Sequence, residues 1–382
     1  MLITADTLLT GRELLRPGWI EVSGANVYAI GAGAPPEAVD RDLGAVTVVP
    51  GFVDTHLHGG GGANFSAGIP AETETAVEFH RRHGTTTLVA SLVTAERVEL
   101  LRQVGELAHD VRGALFDGIH LEGPWLSTKR CGAHQPTLMR DPDPAEIERV
   151  LEVGRGTVRM VTIAPERDGA LAAIRQLVDA GVVAAVGHTE ATYAQTRAAI
   201  DAGATVATHL FNAMRPINTR EPGPVIALLE DPRVTVELIT DGVHVDPALY
   251  RHVCRSAGPD RVSLVTDAMA AAGMSDGRYW LGPLEVNVVD GVARVAGKDT
   301  IAGSTATMDH QFRFAVENCG LPRDDALLTA VRQTSINPSR ALGLPAGELV
   351  PGSLADFVVL DDDLVVTGVM RSGSWVVEPG IA

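Results

Sequence analysis

The chain has 382 residues, 45% of them hydrophobic, and a formal net charge of −17 at pH 7. This length and apolar content exclude a disordered chain and allow either two ordinary domains or one barrel-sized domain with an attachment. The negative charge disfavours binding to nucleic acid or to an anionic membrane, because neutralising phosphates requires a basic face. An anionic substrate would therefore need a local basic pocket.

The beginning of the chain and its cysteines predict a soluble, cytoplasmic protein. The opening stretch MLITADTLLTGRELLR carries Asp6 and lacks the basic cluster and apolar core of a secretory signal. No apolar run approaches the roughly 18 residues that a membrane-spanning helix needs. Cys131, Cys254 and Cys319 are widely spaced and odd in number, which argues against a disulfide framework and a structural zinc site.

Between about residues 46 and 340, β-branched runs alternate with Ala-rich amphipathic segments, a rhythm typical of βα units and a parallel sheet. The segments with the composition of strands are 46–54, 85–93, 114–122, 158–165, 181–188, 204–210, 234–242 and 261–269. Helix-like segments such as ETETAVEFHRRH and EATYAQTRAAIDAG lie between them. Eight units in about 290 residues favour a TIM-like (β/α)8 barrel within the α/β class over a doubly wound sheet.

The two ends of the chain do not share this rhythm. Residues 1–45 and 346–382 have the pattern of short strands joined by hairpin turns. Because they flank residues 46–345 on both sides, we expect them to form one small β-sandwich domain beside a barrel domain. An Asp-Gly turn at positions 290 and 291 predicts a β-hairpin insertion near residues 278–300.

Metal-capable side chains stand at the carboxyl ends of the predicted strands, where the active sites of TIM barrels lie. His56 and His58 end the first strand and point the same way, because side chains alternate along a strand. The others, at the ends of the third, fifth, sixth and eighth strands, are Glu122, His188, His209 and Asp267. One such histidine alone is more often a structural residue, but six residues at one barrel end predict a metal centre.

These residues suggest one or two divalent ions. Glu122, His188 and His209 form a three-ligand set that leaves a position open for water, as in catalytic zinc sites. His56 and His58 could hold a second ion, with Glu122 as the bridge, since a carboxylate has two oxygens to share. Zinc is the ion that we expect, although iron, manganese and cobalt also accept histidine and carboxylate ligands.

The expected chemistry is metal-dependent hydrolysis of an amide. A metal-bound water becomes hydroxide near neutral pH and attacks a carbonyl, after which an amine leaving group must receive a proton. Asp267 is the candidate for both proton transfers, and the alternative is that it only caps the next segment. A carboxylated lysine bridge is excluded, because the only lysines, Lys129 and Lys298, end no strand.

Three further histidines are not among the six candidate ligands. His80 and His83 lie on the predicted outer helix, within EFHRRH, and we expect them to be solvated. His120 shares a strand face with Glu122 and could be a ligand, a partner of a ligand or a core residue.

Several motifs together resemble the amidohydrolase superfamily and, within it, the family of N-acetylglucosamine-6-phosphate deacetylases. They are PGFVDTHLHG, HLEGPW, GHTEA, THLFNAM, DGVHVDP, LVTDAM and PGSLADFVVLD. The first and last are common to many amidohydrolases, whereas HLEGPW with THLFNAM is more specific. The resemblance runs over essentially the whole chain. It implies a barrel with a small β domain from both termini, a homodimer, and release of acetate from N-acetylglucosamine 6-phosphate to leave glucosamine 6-phosphate.

The resemblance also implies roles for individual residues. Glu122, His188 and His209 would hold the catalytic ion and Asp267 would act as general base and then acid. His134 in CGAHQP would contact the sugar and polarise the acetyl carbonyl. The residues that it places around the rest of the substrate are Asn212, Ala213, Ala302 and Gly303. Arg220 and His244 would bind the phosphate.

The resemblance places the phosphate residues partly across the dimer interface. A guanidinium such as that of Arg220 suits phosphate because it offers planar, paired donors. Without the resemblance, Arg220 could form an ordinary surface salt bridge and His244 could cap a helix.

Family members differ at the first-strand histidine pair, and some work with one ion. Because His56 and His58 are both present, we expect a binuclear site. Two competing functions remain open, namely an amidohydrolase acting on an N-acyl amino acid or cyclic amide, and a metal-free barrel used as a binding scaffold. Cys131 lies between Glu122 and His134, where its thiol could contact substrate or be a passive loop residue.

Overall fold

The computed structural model describes residues 1–380, and its centre is an eight-stranded parallel sheet curved into a barrel. Neighbouring strands follow chain order. The eighth strand meets the first where the Asp267 amide donates to the His56 carbonyl at 2.8 Å and the His58 amide donates to the Ala268 carbonyl at 2.7 Å. In order, the barrel strands are Phe52–Leu57, Thr85–Val93, Gly118–Glu122, Val158–Ile163, Val183–Val186, Val206–Ala207, Thr235–Leu238 and Val262–Leu264. The predicted TIM-like barrel is confirmed.

The predicted first strand, 46–54, is in fact two strands in two different sheets. Thr47–Pro50 pairs with strands near the chain termini, and Phe52–Leu57 enters the barrel. Gly51 lies between them, and a Cβ there would stand 2.1 Å from Thr86 Oγ1. Only glycine lets the backbone pass this close to the second barrel strand.

Amphipathic helices surround the barrel, as the sequence predicts. Within Ala170–Asp179, for example, the buried residues are Ala170, Ala173, Ile174 and Leu177, the spacing of one helix face. The α-helices are Pro70–Arg82, Arg97–Arg112, Pro144–Gly154, Ala170–Asp179, Tyr193–Asp201, Gly223–Glu230, Pro247–Ala257, Met308–Asn318, Arg323–Val331 and Asn337–Leu342.

Two sheets, in which most strand pairs are antiparallel, form a small β-sandwich from residues near both chain termini. The four-stranded sheet contains Leu2–Ala5, Gly18–Ser23, Asn26–Ala32 and Arg41–Asp42. The six-stranded sheet contains Thr7–Leu9, Leu14–Leu15, Thr47–Pro50, Phe357–Leu360, Val366–Arg371 and Ser374–Val377. Their facing side chains, among them Ile3, Ile20, Val48 and Phe357, share one apolar core. The predicted pairing of the two termini is therefore confirmed, while the exact domain boundaries remain a prediction.

A three-stranded antiparallel sheet follows the eighth barrel strand, in the region where the sequence predicts an inserted hairpin. Its strands are Gly277–Leu281, Leu284–Val289 and Val292–Val295. The sheet packs its own small apolar core, which includes Val286 and Val288, against Met269 and Ala302 near the carboxyl end of the barrel. It therefore stands beside the end that carries the predicted site.

The amino end of the barrel is closed by apolar packing. Val53, Val89 and Met160 from three barrel strands are buried in one cluster with Leu342 and Leu344. No helix within residues 1–380 is long and apolar enough to cross a membrane.

Candidate metal centre

The first and third barrel strands bring three of the predicted ligands together. His56 and His58 come from Phe52–Leu57 and the residue that follows it, and Glu122 is the last residue of its strand. All three are buried, and one donor atom from each lies within 4.8 Å of the others. The alternation of side chains along a strand therefore places both histidines on the same side of the strand, as predicted.

The other three predicted ligands stand on bends rather than on regular strand. His188, His209 and Asp267 have positive φ angles of 46°, 27° and 48°. Left-handed backbone is unfavourable for residues other than glycine and is commonly found at functional sites. The side chains of His188 and His209 reach Glu122, whereas that of Asp267 reaches His56 and His58.

Glu122 is the centre of the cluster. Its Oε1 lies 2.9 Å from Nε2 of His188 and 2.9 Å from Nε2 of His209, and those two nitrogens are 3.1 Å apart. Its Oε2 lies 3.2 Å from Nε2 of His58. Three imidazole nitrogens therefore converge on the two oxygens of one buried carboxylate.

The first-strand histidines also face Asp267. Oδ1 of Asp267 lies 3.5 Å from Nε2 of His56 and 3.2 Å from Nε2 of His58. Nε2 of His56 is 3.6 Å from Oε1 of Glu122. Asp267 thus lies beside the first-strand pair, where it can reach a group held between these residues.

The chemistry of these donors fits a divalent ion. Imidazole nitrogens and carboxylate oxygens are the ligands of catalytic zinc and related metals. Both ring nitrogens of His56 are buried without a hydrogen-bond partner among residues 1–380. Burial alone lowers the pKa of His56, but the carboxylates of Glu122 and Asp267 raise it well above its ordinary value. The site therefore favours positive charge at the place where ligand atoms converge.

His134 joins this cluster from a loop. Its Nδ1 accepts a hydrogen bond from the backbone N–H of Thr94 at 3.2 Å. A neutral imidazole then carries its proton on Nε2, which donates to Oε2 of Glu122 at 3.1 Å. Thr94 thus fixes the tautomer of His134 and leaves an N–H donor pointing into the site.

A pocket of about 290 Å³ opens over these residues. The candidate ligands His58, Glu122, His188, His209 and Asp267 line it, together with His134. The predicted substrate residues Asn212, Ala213, His244 and Gly303 also line it, together with Leu281 and Ile301 from the inserted segment. Ala302 is buried in the core of the inserted sheet and does not line this pocket.

The two predicted phosphate residues occupy different places. His244 lines the pocket, and its Nδ1 lies 2.7 Å from Oδ2 of Asp241. Burial lowers the pKa of His244, but the hydrogen bond to Asp241 outweighs this effect and raises it. Arg220 is exposed on a turn outside the pocket of its own chain, so the structure does not bring it to the other residues. Cys131 is partly buried and also lies outside the pocket lining.

His120 and His80 are both buried and hydrogen-bonded. His120 Nδ1 lies 2.9 Å from Ser91 Oγ and its Nε2 lies 2.8 Å from Thr162 Oγ1, so it packs among hydroxyl groups beneath the ligands. The predicted solvation of His80 is wrong, because the ring is fully buried and its Nε2 donates to the Gly59 carbonyl at 2.9 Å. A Cβ at Gly60 would stand 2.6 Å from the same nitrogen, so the glycine run lies directly on this histidine.

Two buried carboxylates beside the site were missed from the sequence. Asp54 accepts hydrogen bonds from Thr266 and from the His56 amide, and burial raises its pKa to about 7. Glu237, on the seventh barrel strand, lies 3.5 Å from His56. A charged residue inside the apolar run VTVELIT was the available signal for Glu237, because charges are rarely buried without a partner.

The chain is similar in sequence to known proteins over most of its length. The model of the amidohydrolase family matches residues 47–376. The chain is 37% identical over 378 residues to an N-acetylgalactosamine-6-phosphate deacetylase of Escherichia coli O157:H7, covering 96% of this chain and 98% of that one. It is 37% identical over 356 residues to the N-acetylglucosamine-6-phosphate deacetylase of Bos taurus, covering 88% and 86%.

A solved structure is also similar over almost the whole chain. It is an aspartate-to-alanine mutant of N-acetyl-D-glucosamine-6-phosphate deacetylase from Mycobacterium smegmatis in complex with N-acetyl-D-glucosamine-6-phosphate. The two chains are 73% identical, each is covered to 99%, and the TM-score is 0.98.

Proposed function

The chain belongs to the amidohydrolase family of hydrolases, and from that premise we propose that it removes the acetyl group from N-acetylglucosamine 6-phosphate. The products are glucosamine 6-phosphate and acetate. The observation that carries the proposal is the convergence of His58, His188 and His209 on the two oxygens of Glu122, at the floor of a pocket into which His134 directs an N–H. The activities named for the relatives support the choice of substrate.

We assign the metal ligands from these contacts. Glu122, His188 and His209 would hold one divalent ion, for which zinc is the expected identity. His56 and His58 would hold a second, sharing Glu122 with the first and lying next to Asp267. When bound, such ions activate a water molecule and polarise the carbonyl that it attacks.

Asp267 is the residue that moves the proton. Its carboxylate lines the pocket and is 3.2 Å from His58 Nε2, so we propose that it faces the attacking water. It accepts the proton that this water loses and delivers it to the nitrogen of the leaving amine as the C–N bond breaks. Burial alone raises the pKa of Asp267, but the facing histidines His56 and His58 lower it, which keeps the carboxylate ready to accept a proton.

His134 orients the acetyl group. Its Nε2–H points into the pocket, where the acetyl oxygen of a bound substrate can replace Glu122 as the acceptor. Asn212, Ala213 and Gly303 line the pocket and would contact the sugar, and the segment that contains Ala302 supports that wall. These contacts would hold the amide carbonyl against the floor of the site.

The phosphate would bind where His244 lines the pocket. Arg220 is exposed outside the pocket of its own chain, and this position supports the proposal that it serves the pocket of a second copy in a homodimer. The arrangement would supply local positive charge to a chain whose net charge is −17. We propose that the protein works in the cytoplasm and has no nucleic-acid or membrane partner.

One experiment tests the metal centre and the activity together. The metal content and the deacetylation of N-acetylglucosamine 6-phosphate are measured for the parent and for the His56→Asn/His58→Asn double variant. We expect two ions per chain in the parent, one in the variant, and a severe loss of turnover. One ion in both proteins with unchanged turnover would contradict the binuclear centre. Absence of bound metal, without any gain of activity on reconstitution, would support a binding scaffold.

A second substrate is favoured by one specific observation, since the relative from Escherichia coli O157:H7 is named for N-acetylgalactosamine 6-phosphate. The two sugars differ only in the orientation of one hydroxyl group. Measuring kcat/KM for both, and for an N-acyl amino acid and a cyclic amide, ranks the candidates directly. We expect N-acetylglucosamine 6-phosphate to rank first, and a higher value for either non-phosphorylated class would overturn the proposal.

A further inference from the structure

We infer that Glu237 is a positioning residue that orients the ring of His56 for ion binding, an inference that rests on the proposed metal centre. Glu237 lies on the seventh barrel strand and is only 2% exposed. Its Oε2 faces Nδ1 of His56 at 3.5 Å, while its Oε1 accepts a hydrogen bond from the hydroxyl of Thr55 at 3.3 Å. Neither Oε2 nor Nδ1 has a hydrogen-bond partner within residues 1–380.

The four proposed histidine ligands differ in what lies behind their rings. Nδ1 of His58 faces the Ser91 carbonyl at 3.2 Å, and Nδ1 of His188 faces the Arg130 carbonyl at 3.0 Å. Nδ1 of His209 has no partner in the described part of the chain. Among these four rings, only that of His56 has a carboxylate behind it, so its surroundings differ in charge from those of the others.

The position of this carboxylate selects one tautomer. Nε2, on the other edge of the His56 ring, faces Glu122 and Asp267, where the second ion is proposed. A proton on Nδ1 pointing at Glu237 leaves the lone pair of Nε2 free for the ion. A carboxylate behind a ligating imidazole also makes the ligand more basic. The separation of 3.5 Å exceeds an ordinary N–H···O bond, so we expect the bond to tighten when the ring binds the ion.

The burial of the Glu237 carboxylate also favours an ion bound to His56. A buried carboxylate with an unpaired oxygen is unfavourable in an apolar barrel unless positive charge lies nearby. No arginine or lysine pairs with Glu237 in the described residues, and the group it faces is the imidazole of His56. An ion bound at Nε2, on the opposite edge of that imidazole, would compensate the negative charge of Glu237, because the ring links the ion to the carboxylate.

Zinc affinity is the readout that separates this role from a purely structural one. Metal-free parent and Glu237→Gln protein are titrated with zinc against a chromophoric chelator, and bound zinc is counted by mass spectrometry. Glutamine keeps the shape of the side chain and removes its charge. We expect one of the two ions to bind 10- to 100-fold more weakly, the range typical for partners of metal ligands, with the other unchanged.

The matched control is Asp117→Asn, which removes the same charge from another carboxylate. Asp117 directly precedes the third barrel strand and accepts a hydrogen bond from the Leu88 amide. It should leave both zinc affinities at the parent values. Equal affinities in the parent and Glu237→Gln proteins would show that Glu237 only fills space and bonds to Thr55. If the glutamine variant does not fold, Glu237→Asp, which keeps the charge but shortens the reach, is measured in the same way, with the same weakening expected.

The experiment also separates failure of the inference from failure of the proposed function. If the parent binds only one zinc ion, the binuclear centre is contradicted whatever Glu237 does. The inference then requires His56 to be a ligand of that single ion. It is supported only if Glu237→Gln and His56→Asn both weaken the binding of that ion, and any other result overturns it. If the parent binds no zinc, the proposed centre and the inference fail together.

Discussion

The two ends of the barrel are built from the same eight strands but hold opposite kinds of side chain. At the carboxyl end, histidines and carboxylates crowd around Glu122, and His188, His209 and Asp267 adopt left-handed backbone. At the amino end, residues such as Val53 and Met160 pack in a buried apolar cluster.

Apolar packing at the amino end can offset the free energy that the polar site at the carboxyl end costs the folded chain. Left-handed residues and buried charges each destabilise the folded chain by an estimated one to a few kcal/mol. Apolar burial at the opposite end contributes roughly 25 cal/mol per Å² without restricting the chemistry. Substitutions at the two ends should therefore separate activity from stability, and the following predictions test that separation.

The largest effect should come from Asp267→Asn. An amide cannot take the proton from water or return it to the amine, so kcat should fall by roughly 10²–10⁴-fold. The midpoint of thermal unfolding should change little, because the change is nearly isosteric. Steady-state kinetics with N-acetylglucosamine 6-phosphate and a thermal melt measure the two quantities. Asp117→Asn serves as the control, and a parent-like kcat in Asp267→Asn would remove this residue from the mechanism.

The opposite outcome is expected at the amino end for Met160→Ala. Met160 is fully buried in the apolar cluster, so the free energy of unfolding should fall by about 2–5 kcal/mol. The kcat of the protein that remains folded should stay at the parent value. Chemical denaturation and active-site titration measure both. Met274→Ala, at a side chain 47% exposed, is the matched control, with an expected change of at most about 0.5 kcal/mol. A large loss of kcat in folded Met160→Ala would contradict the expectation that the amino end affects stability alone.

Arg220→Ala extends the comparison to the rim of the carboxyl end. Loss of a guanidinium that binds phosphate should raise KM by roughly 10–100-fold, since a hydrogen bond to a charged group contributes about 1.5–3 kcal/mol. The value of kcat should be nearly kept. Arg82→Ala, at another exposed arginine, should leave KM unchanged. An unchanged KM in Arg220→Ala would end the phosphate assignment, and light scattering on the same samples checks for the dimer.

The smallest effect concerns the helix that supports the glycine run at the carboxyl end. Burial lowers the pKa of His80 to about 4, so between pH 6.5 and 4 the unfolded chain binds a proton that the folded chain does not. Stability should therefore fall with falling pH, by roughly 1 kcal/mol from pH 7 to 5.5 through this residue. His80→Gln should flatten the slope by that amount. His109→Gln, at an exposed position, should not, and equal slopes in all three proteins would contradict the assignment.

Strand periodicity and chain order were enough to predict the barrel and to place metal-capable residues at its carboxyl end. The pairing of His56 with His58 followed from side-chain alternation alone. The left-handed bends at His188 and Asp267 could not be foreseen, because they depend on how each strand meets its neighbour. Glu237 was missed because no other metal-capable residue lies near it in a recognisable motif. Only the closed barrel brings its side chain, on the seventh strand, to His56 on the first.

Two errors have physical explanations. His80 was expected to be solvated because its helix carries several charged residues, yet its own position lies on the buried face beneath the glycine run. The first strand was predicted as one element, 46–54, because the segments VTVV and FV on either side of Pro50 and Gly51 are apolar. The Pro-Gly pair at positions 50 and 51 is a local signal for a break. The close approach of Gly51 to Thr86 joins distant parts of the chain and could not be seen in the sequence.

The inserted three-stranded sheet has a consequence for how such enzymes diverge. Leu281, Ile301 and Gly303 form part of the pocket wall, although none of them belongs to a barrel strand. The insertion leaves the barrel after the eighth strand and rejoins it at the helix that starts at Met308. Its length and side chains can therefore change during evolution while the eight strands and their ligands stay as they are. Selection can therefore change which substrate the pocket admits while the residues that carry out the hydrolysis stay the same.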